Sequence, residues 1–292
     1  MDMSVRPGWI MVIGATGRQG GSVAKELLGR GWEVHALVRD PQAPAARKLA
    51  DHGAVLVRGD LDDTASLQAA LRGAHGVFSV QTFTTPEGVT GEERQGRSVA
   101  DVAARERVAH VVYSSVGGAE RRSGVPHFES KAAIERHIEA LGLPATILRP
   151  TMFIDNFASF GPTLVDGELV LSLGLAPETV LQMIATRDIA VFAADAFDDP
   201  RHWIGRQVEI AGDALTGPQM AEAFAEAAGL PGRFQELPNE QLRAVNQELA
   251  AMFDWFNREG YRADLAALRE RHPDLATLRA WLRETGWKAS AR

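Results

Sequence analysis

The sequence predicts an α/β fold: a Rossmann-type, doubly wound parallel sheet, followed by a smaller C-terminal region that is mixed α/β and largely helical. Short runs rich in β-branched residues alternate with longer helical stretches through the first 150 residues, which is typical of βαβ units in a parallel sheet. The first run leads into a Gly-x-x-Gly-x-x-Gly loop, the usual link between the first strand and helix of such a sheet. We therefore predict a first domain over 1–150 and a smaller region over 151–292 packed on it.

Strands and helices alternate along the predicted first domain. The strands are predicted at Trp9–Ile13, Glu33–Val38, Ala54–Val57, Gly76–Val80, His110–Ser114 and Ala145–Leu148. The helices are predicted at Gly17–Arg30, Pro44–His52, Thr64–Leu71, Glu92–Arg105 and Phe128–Leu141. Ile10–Ile13 and Val111–Tyr113 are apolar without polar alternation, as in strands that are covered on both faces. Buried helical segments are the alternative, but the flanking glycines and β-branched residues favour strands.

The alternation changes after Pro150. The elements predicted there are an aromatic-rich segment at Phe153–Phe160, a strand at Val180–Ile184, a helix at Asp188–Phe197, a strand at Gln207–Ile210 and a helix at Pro218–Ala228. From Asn239 onward the sequence is charged and of helical character. This segment from Asn239 onward contains no Gly-rich linker, so we expect it to pack on the first domain.

The composition is that of a globular protein and excludes several kinds of site. Hydrophobic residues make up 45% and charged residues 24% of the 292 residues, so the chain can bury a large core. The chain has 0 Cys, which excludes disulfides, thiol catalysis, zinc–thiolate sites and iron–sulfur clusters. Its 8 His show no metal-ligand spacing, so we expect no metal site.

Charge and hydropathy indicate where the protein acts. The net charge of −7 gives no general attraction to nucleic acid or anionic lipid. No apolar run approaches the roughly 18 residues that a membrane span needs. The apolar run at Trp9–Ile13 enters a Gly-rich turn, so we interpret it as a strand and not as a signal peptide. We therefore predict a cytoplasmic protein that binds neither nucleic acid nor membranes.

The glycine loop predicts a phosphate-binding site. Gly14 permits the tight turn, Gly17 lets the backbone approach a pyrophosphate, and Gly20 lets helix and strand pack closely. Backbone N–H groups at the start of the helix then face the anion. A Gly-rich turn without a ligand is the alternative, but the strand–turn–helix context favours dinucleotide binding.

The end of the second predicted strand favours NADP(H) over NAD(H). An NAD-specific site has Asp or Glu there to bind the ribose 2′-hydroxyl, whereas here the strand ends in Arg39. A guanidinium can hold a 2′-phosphate through two hydrogen bonds, and Arg18 in the loop adds a second positive charge. Asp40 weakens this argument, and a solvated arginine at a strand end is the alternative.

Acidic residues follow the third predicted strand. Asp60 is placed to bind an adenine through a hydrogen bond, and Leu61 to cover its face. Asp60, Asp62 and Asp63 are also candidates to cap the next helix, since Asp is favoured at that position. For Asp62 and Asp63 we prefer the cap.

Several stretches of residues 9–160 resemble the NmrA-like family, an atypical branch of the short-chain dehydrogenase/reductases. They are Gly14–Val23, Val38–Pro41, Gly59–Asp63, Gln95–Gly96, Val111–Ser115, His127–Lys131, Arg149–Pro150 and Phe153–Asn156. They occur in order and at family-like spacing. From about residue 161 to 260 only the pattern is similar, and the tail is similar to the helical end of human NmrA-like redox sensors.

The resemblance implies a role for each part of the site. The phosphates would be held by Gly14, Ala15, Thr16, Gly17, Arg18 and Gln19, the 2′-phosphate by Arg39, and the adenine by Asp60 and Leu61. The nicotinamide ribose would be lined by Gln81, Thr82 and Phe83 and reached by Lys131, and Phe153 to Asn156 would close over the nicotinamide end. Arg94 occupies a position where relatives often carry a basic residue near the cofactor.

The catalytic tyrosine of ordinary short-chain dehydrogenases is missing. Those enzymes use Tyr-x-x-x-Lys, in which the tyrosine transfers a proton, but neither Tyr113 nor Tyr261 stands four residues before a lysine. His127-x-x-x-Lys131 takes the place of the motif, and the i, i+4 spacing keeps both side chains on one helical face. His127 is either a general acid near neutral pH or a helix-start residue without chemistry.

Two further groups of residues leave their roles open. Ser114 and Ser115, at the end of the fifth predicted strand, either orient a carbonyl or only satisfy the backbone. Phe153, Phe157 and Phe160 form either a core stripe or a hydrophobic wall for a planar substrate, and one helix can serve both purposes.

Two functions follow as hypotheses. The first is an oxidoreductase that passes hydride from NADPH to a small quinone- or enone-like acceptor, with Lys131 and His127 as catalytic residues. The alternative is a non-catalytic NADP(H) sensor that regulates a protein partner. In either case we expect NADP(H) to bind more tightly than NAD(H), and the protein to be a monomer or homodimer.

Overall fold

The computed structural model describes residues 6–289. Its strands are β1 (Trp9–Val12), β2 (Glu33–Val38), β3 (Val55–Arg58), β4 (Gly76–Ser79), β5 (His110–Ser114), β6 (Ala145–Pro150), β7 (Met152–Phe153), β8 (Thr163–Val165), β9 (Glu168–Leu173), β10 (Val180–Ile184), β11 (Gln207–Ile210), β12 (Asp213–Thr216) and β13 (Gly232–Glu236). Its α-helices are α1 (Arg18–Gly29), α2 (Pro44–Asp51), α3 (Thr64–Leu71), α4 (Gly88–Arg105), α5 (Pro126–Ala140), α6 (Phe157–Phe160), α7 (Thr186–Asp198), α8 (Pro200–Trp203), α9 (Gly217–Ala228), α10 (Asn239–Val245), α11 (Gln247–Arg258), α12 (Leu265–Arg271) and α13 (Leu278–Thr285). Short 3₁₀ helices lie at Ala119–Arg121 and Ile154–Asn156.

A seven-stranded parallel sheet confirms the predicted fold class. Its strand order is β11-β6-β5-β4-β1-β2-β3, and each strand from β6 to β3 pairs in parallel with its neighbour. Ile10 of β1 lies opposite both Val34 and Gly76, so the order reverses at β1 and β4. In such sheets the crevice at the carboxyl ends of the strands beside this reversal is where ligands bind.

The central strands β1 and β5 are buried along nearly their whole length. Ile10, Met11 and Val12 of β1 are each 0% exposed, and every residue of β5 is buried. This confirms the expectation, drawn from their unbroken apolar sequences, that these strands are covered on both faces.

Two compact units share the chain. The first contains the residues up to Ala119 together with His127–Arg149 and Ile189–Val208, and the second contains Glu120–Pro126, Pro150–Asp188 and Glu209 onward. The predicted domain boundary after residue 150 stays a prediction, because compactness is not a test of independent folding.

The first unit is completed by its late segment Ile189–Val208. The Arg30 guanidinium donates to Asp195 at 2.8 Å and to Asp198 at 2.9 Å, and the indole N–H of Trp32 donates to Asp198 at 2.9 Å. A single cation thus contacts two carboxylates of helix α7, which ties the end of α1 to that helix.

The second unit contains two three-stranded sheets, with strand orders β12-β10-β7 and β13-β9-β8. Strands β8 and β9 form an antiparallel hairpin in which Val165 pairs with Glu168. The turn between them is Asp166–Gly167, with φ of 50° and 85°. Positive φ at both central residues is typical of a type I′ hairpin turn.

Several predicted boundaries were wrong. Helix α4 begins at Gly88, four residues before the predicted start at Glu92. The helical tail is four separate helices, α10 to α13, interrupted at Asn246, near Gly260 and at His272. Strands β7, β8, β9, β12 and β13 had not been predicted. Across residues 6–289, no helix combines the length and the apolar character that crossing a membrane requires.

Candidate functional site

The glycine loop connects β1 to α1 at the carboxyl edge of the sheet. Gly14 has φ of 71°, and its carbonyl accepts a hydrogen bond from the Gly17 N–H at 2.9 Å. A Cβ on Gly14 would lie 2.9 Å from Val80 Cγ1, so the loop passes directly beside the end of β4. A Cβ on Gly20 would collide with the Gly14 carbonyl oxygen. Gly20 is therefore needed for close packing of helix against loop.

Gly17 leaves the start of α1 open. It has extended backbone angles, φ −87° and ψ 173°, and within the described chain no side chain caps the helix. A Cβ there would lie 3.3 Å from the Gly14 carbonyl, so a larger side chain would fill the space above the first turn. The first N–H groups of a helix need an acceptor, and an anion at this position can provide it.

Gln19 and Ser114 are bonded to each other. Gln19 Nε2 donates to Ser114 Oγ at 2.5 Å, and the two residues are 7% and 1% exposed. One of the two N–H groups of the Gln19 amide is therefore engaged by Ser114. The bond favours a structural role for Ser114, one of the two alternatives given above. Ser115 is 5% exposed, and its hydroxyl finds no hydrogen-bond partner among residues 6–289.

Arg39 follows β2 and is exposed. Among the described residues, no hydrogen bond or ion pair holds its guanidinium. Asp40 Oδ1 accepts the backbone N–H of Gln42 at 2.8 Å, a local turn interaction. The arrangement leaves Arg39 available to an anionic ligand.

The acidic residues after β3 have different roles. Asp63 is the helix cap, and its carboxylate accepts the N–H groups of Ala65 at 3.0 Å and Ser66 at 3.2 Å, as predicted. Asp60 accepts the N–H of Asp62 at 3.1 Å, and the partly buried Leu61 packs on the core of the first unit.

The prediction that Asp62 caps the helix was wrong. Its carboxylate binds Arg94 at 2.6 Å and Gln95 at 3.0 Å instead. Hydrogen bonds from Gln95 and Arg94 lower the pKa of Asp62. Arg94 also contacts Glu87, so its charge is shared between two carboxylates.

Gln81, Thr82 and Phe83 follow β4 at the same edge. Gln81 is 6% exposed, and its Nε2 donates to Ser79 Oγ at 2.9 Å. Its Oε1 is buried without a hydrogen-bond partner in the described part of the chain. The ring of Phe83 stacks on His127, with centroids 4.5 Å apart and planes at 19°. The His127 ring is therefore held with its face against an apolar partner.

Lys131 lies one turn after His127 on α5, and its side chain is 11% exposed. Its Nζ lies 2.9 Å from Glu92 Oε1 and 3.5 Å from the Gln81 carbonyl oxygen. An ammonium carries three N–H groups, so at least one remains for a ligand. Ser130 Oγ donates to the other Glu92 oxygen at 2.5 Å.

Glu92 had not been predicted as part of the site. It is 0% exposed, although glutamate in a charged helix is usually solvated. The signal was present in the spacing: Glu92, Gly96, Val99 and Ala103 are all buried on α4 and recur at helical intervals. An acidic residue that continues an apolar stripe is the pattern that could have identified it.

The aromatic residues after Pro150 do not form one stripe on one helix, contrary to expectation. Phe153 belongs to β7 and Asn156 to the 3₁₀ helix that follows. On α6, Phe157 is buried at 1% exposure, whereas Phe160 is 43% exposed. Phe157 is thus a core residue of the second unit, and contacts of Phe153 and Asn156 with a cofactor stay predictions.

Neither tyrosine replaces the missing acid. Tyr113 is 0% exposed, and burial, with the carboxylates of Glu92 and Glu135, raises its pKa well above the ordinary value. Tyr261 packs against Trp255 and Phe256 in the second unit. The described residues contain no group of three or more His, Asp or Glu placed to hold a metal ion.

The carboxyl edge of the first unit fits a dinucleotide. A Cβ at Gly17 would lie only 3.3 Å from the Gly14 carbonyl oxygen. The buried Gln81 Oε1 accepts no hydrogen bond from the described residues. Lys131 retains an N–H for a hydroxyl, and Arg39 is exposed and forms no ion pair within residues 6–289. These groups lie around β1, β2 and β4, where the strand order reverses.

Comparison with known proteins shows similarity over nearly the whole chain. The sequence model of the NmrA-like family matches residues 7–280. The chain is 33% identical over 251 residues to an NmrA-like family domain-containing oxidoreductase, hkm9, of Aspergillus hancockii, covering 78% of this chain and 75% of that protein.

Two solved structures share the fold. The NADPH-dependent quinone oxidoreductase of Escherichia coli, in complex with NADPH, superposes with a TM-score of 0.81 at 24% identity, covering 95% of this chain and 100% of that one. NmrA, a negative transcriptional regulator in complex with NADP, superposes with a TM-score of 0.80 at 20% identity, covering 95% of both chains. At these identities the likeness shows the fold alone.

Proposed function

Since this chain belongs to the NmrA-like family, we propose that it binds NADP(H) and transfers hydride to a small quinone- or enone-like acceptor. The observation that carries the proposal is the Lys131 ammonium, which is almost buried, paired with Glu92 and still able to donate an N–H at the edge where the glycine loop opens. When bound, NADPH supplies the hydride. The name of the 33% identical relative, an oxidoreductase, supports the same class of activity.

Different residues of the first unit bind different parts of the dinucleotide. The N–H groups from Gly14 to Gly20 face the pyrophosphate, Arg39 holds the 2′-phosphate, and Asp60 and Leu61 contact the adenine. Gln81, Thr82 and Phe83 line the nicotinamide ribose, and Lys131 donates to one of its hydroxyls. This assignment gives a ligand partner to the buried Gln81 Oε1, which accepts no hydrogen bond from the described residues.

The acceptor class follows from the missing tyrosine. With Tyr113 buried, a carbonyl acceptor has no phenol to protonate it. A quinone gains a stabilised anion on reduction and needs little help from a protein acid. An enone needs more help, and His127, one turn from Lys131, is the ionisable group available to give it.

A non-catalytic sensor is the second candidate. The same two observations favour it: the usual acid is absent, and the His127 ring is stacked on Phe83. In this case occupation of the site by NADP(H) would change the affinity for a regulated protein partner. The fold is shared with both a quinone oxidoreductase and a transcriptional regulator, so turnover decides between the two.

The test is NADPH oxidation by the purified protein with a panel of quinones and enones, followed at the nicotinamide absorbance. We expect turnover that rises with acceptor concentration and is lost in Lys131→Ala. Tight NADPH binding with no turnover on any acceptor would instead support the sensor. Absence of NADPH binding would overturn both.

We expect Arg39→Ala to weaken NADPH binding by more than about tenfold and to leave NADH binding nearly unchanged. A charge-assisted hydrogen bond contributes about 1.5–3 kcal/mol, and about 1.4 kcal/mol is tenfold in affinity. Calorimetric titration with both cofactors measures the difference. Arg72→Ala is the matched control, because Arg72 follows α3 and precedes β4 at the opposite edge of the sheet. Equal losses for NADPH and NADH would contradict a role in 2′-phosphate recognition.

A further inference from the structure

The buried carboxylate of Glu92 is unusual among the acidic residues of the first unit. It is 0% exposed and lies on the inner face of α4 together with Gly96 and Val99. Burying a carboxylate is costly unless it is paired and hydrogen-bonded. A buried glutamate therefore needs partners that hold its charge, and the structure supplies two of them.

Each oxygen of the Glu92 carboxylate has its own partner on α5. Oε1 forms an ion pair with Lys131 Nζ at 2.9 Å, without hydrogen-bond geometry, and Oε2 accepts the Ser130 hydroxyl at 2.5 Å. Ser130 and Lys131 are adjacent in sequence, so the two contacts fix the carboxylate plane against the helix. With both oxygens engaged, the carboxylate cannot turn away from Lys131 without breaking the bond to Ser130.

The position of Lys131 depends on this arrangement. A lysine side chain has four rotatable bonds, and an unpaired ammonium samples many of their rotamers. The Glu92 contact holds Nζ 3.5 Å from the Gln81 carbonyl oxygen, at the end of β4. It also leaves at least one N–H of the ammonium able to donate to a ligand, because an ammonium has three N–H groups.

We propose that Glu92 is the positioning residue of the site: it holds the Lys131 ammonium in place, with Ser130 as its support, so that the remaining N–H meets a nicotinamide-ribose hydroxyl. This inference rests on the proposed function. Glu92 touches neither cofactor nor acceptor and acts only through Lys131. The carboxylate also balances the charge of the ammonium, so the pair is arranged before any ligand arrives.

The test is calorimetric binding of two probes to Glu92→Gln. NADP⁺ contains the nicotinamide ribose, whereas adenosine 2′,5′-bisphosphate contains only the adenine, the 2′-phosphate and one 5′-phosphate. We expect NADP⁺ to bind roughly tenfold more weakly, the effect of losing about one charge-assisted hydrogen bond. The affinity for adenosine 2′,5′-bisphosphate should not change. A general loss of structure would weaken both probes together.

A double-mutant comparison shows whether Glu92 acts through Lys131. Lys131→Met and the pair Lys131→Met with Glu92→Gln should bind NADP⁺ equally weakly. Thermal unfolding of all three variants shows which of them are folded, and the double variant leaves neither buried charge unpaired. Ser130→Ala should give a smaller loss in the same direction.

Three results would overturn the inference. They are wild-type NADP⁺ affinity in Glu92→Gln, an equal loss for both probes, and a difference between Lys131→Met and the double variant. If the wild-type protein binds neither probe, the proposed function is overturned as well. That outcome is distinguishable from these three results, in which the wild-type protein binds both probes.

Discussion

Replacing Gly17 with valine is expected to weaken NADPH binding by at least about 100-fold while the chain still folds. The valine side chain would occupy the space above the first turn of α1, where a Cβ already lies 3.3 Å from the Gly14 carbonyl. A phosphate would then lose at least two backbone hydrogen bonds, each worth about 1.5–3 kcal/mol to a charged group. The fold should persist, because φ of −87° and ψ of 173° are accessible to any residue.

Calorimetry with NADPH and thermal unfolding of the same samples measure the two parts of this prediction. Gly29→Ala is the matched control: it lies at the other end of α1, and a Cβ there meets nothing within 4 Å. Gly20→Ala, unlike Gly17→Val, should lower the stability of the fold, since its Cβ would collide with the Gly14 carbonyl. Wild-type affinity in Gly17→Val would place the phosphates elsewhere.

Replacing His127 with alanine should lower kcat for enones by about 10²–10⁴-fold, the usual contribution of a general acid. NADPH affinity should be kept, because Lys131 and the glycine loop remain. The imidazolium form of histidine is the form that can act as a general acid. The wild-type rate should therefore fall as the pH rises and this form is lost, and the variant should lose that dependence.

The effect should be smaller for quinones, whose reduced form is a stabilised anion. Steady-state rates over pH with one acceptor of each kind measure the difference. His137→Ala is the matched control, because His137 lies on the same helix and binds Asp101 at 2.8 Å. An unchanged rate and pH profile on every acceptor would remove His127 from the mechanism.

The strands of the first unit could be predicted because their sequences carry a strong local signal. Glu33–Val38 and His110–Ser114 have the predicted bounds, since short, mainly apolar runs that contain valines and lie between turn residues suit a covered parallel strand. The β8–β9 hairpin was missed although its signal was equally clear. Asp166–Gly167 stands between two apolar runs, and Asp-Gly between such runs is a strong hairpin indicator.

The candidate site was predicted in its residue types but not in its connections. The glycine loop and Lys131 follow from motifs, because the backbone geometry of a phosphate loop depends on local sequence. The contacts of Gln19 with Ser114 and of Lys131 with Glu92 join residues far apart in the chain. No local pattern encodes such pairs, and one sequence gives no information on which partners meet.

The discontinuous first unit has a consequence for biosynthesis. Arg30 meets Asp195 165 residues later in the chain, and Trp32 meets Asp198 166 residues later, while the Thr146 hydroxyl donates to the Trp203 carbonyl 57 residues later. A nascent chain emerges from the ribosome at about 5–20 residues per second, so these partners arrive many seconds after the sheet begins to form. The second unit's segment Pro150–Asp188 is synthesised within that interval. The first unit can therefore be completed only after part of the second unit has been synthesised.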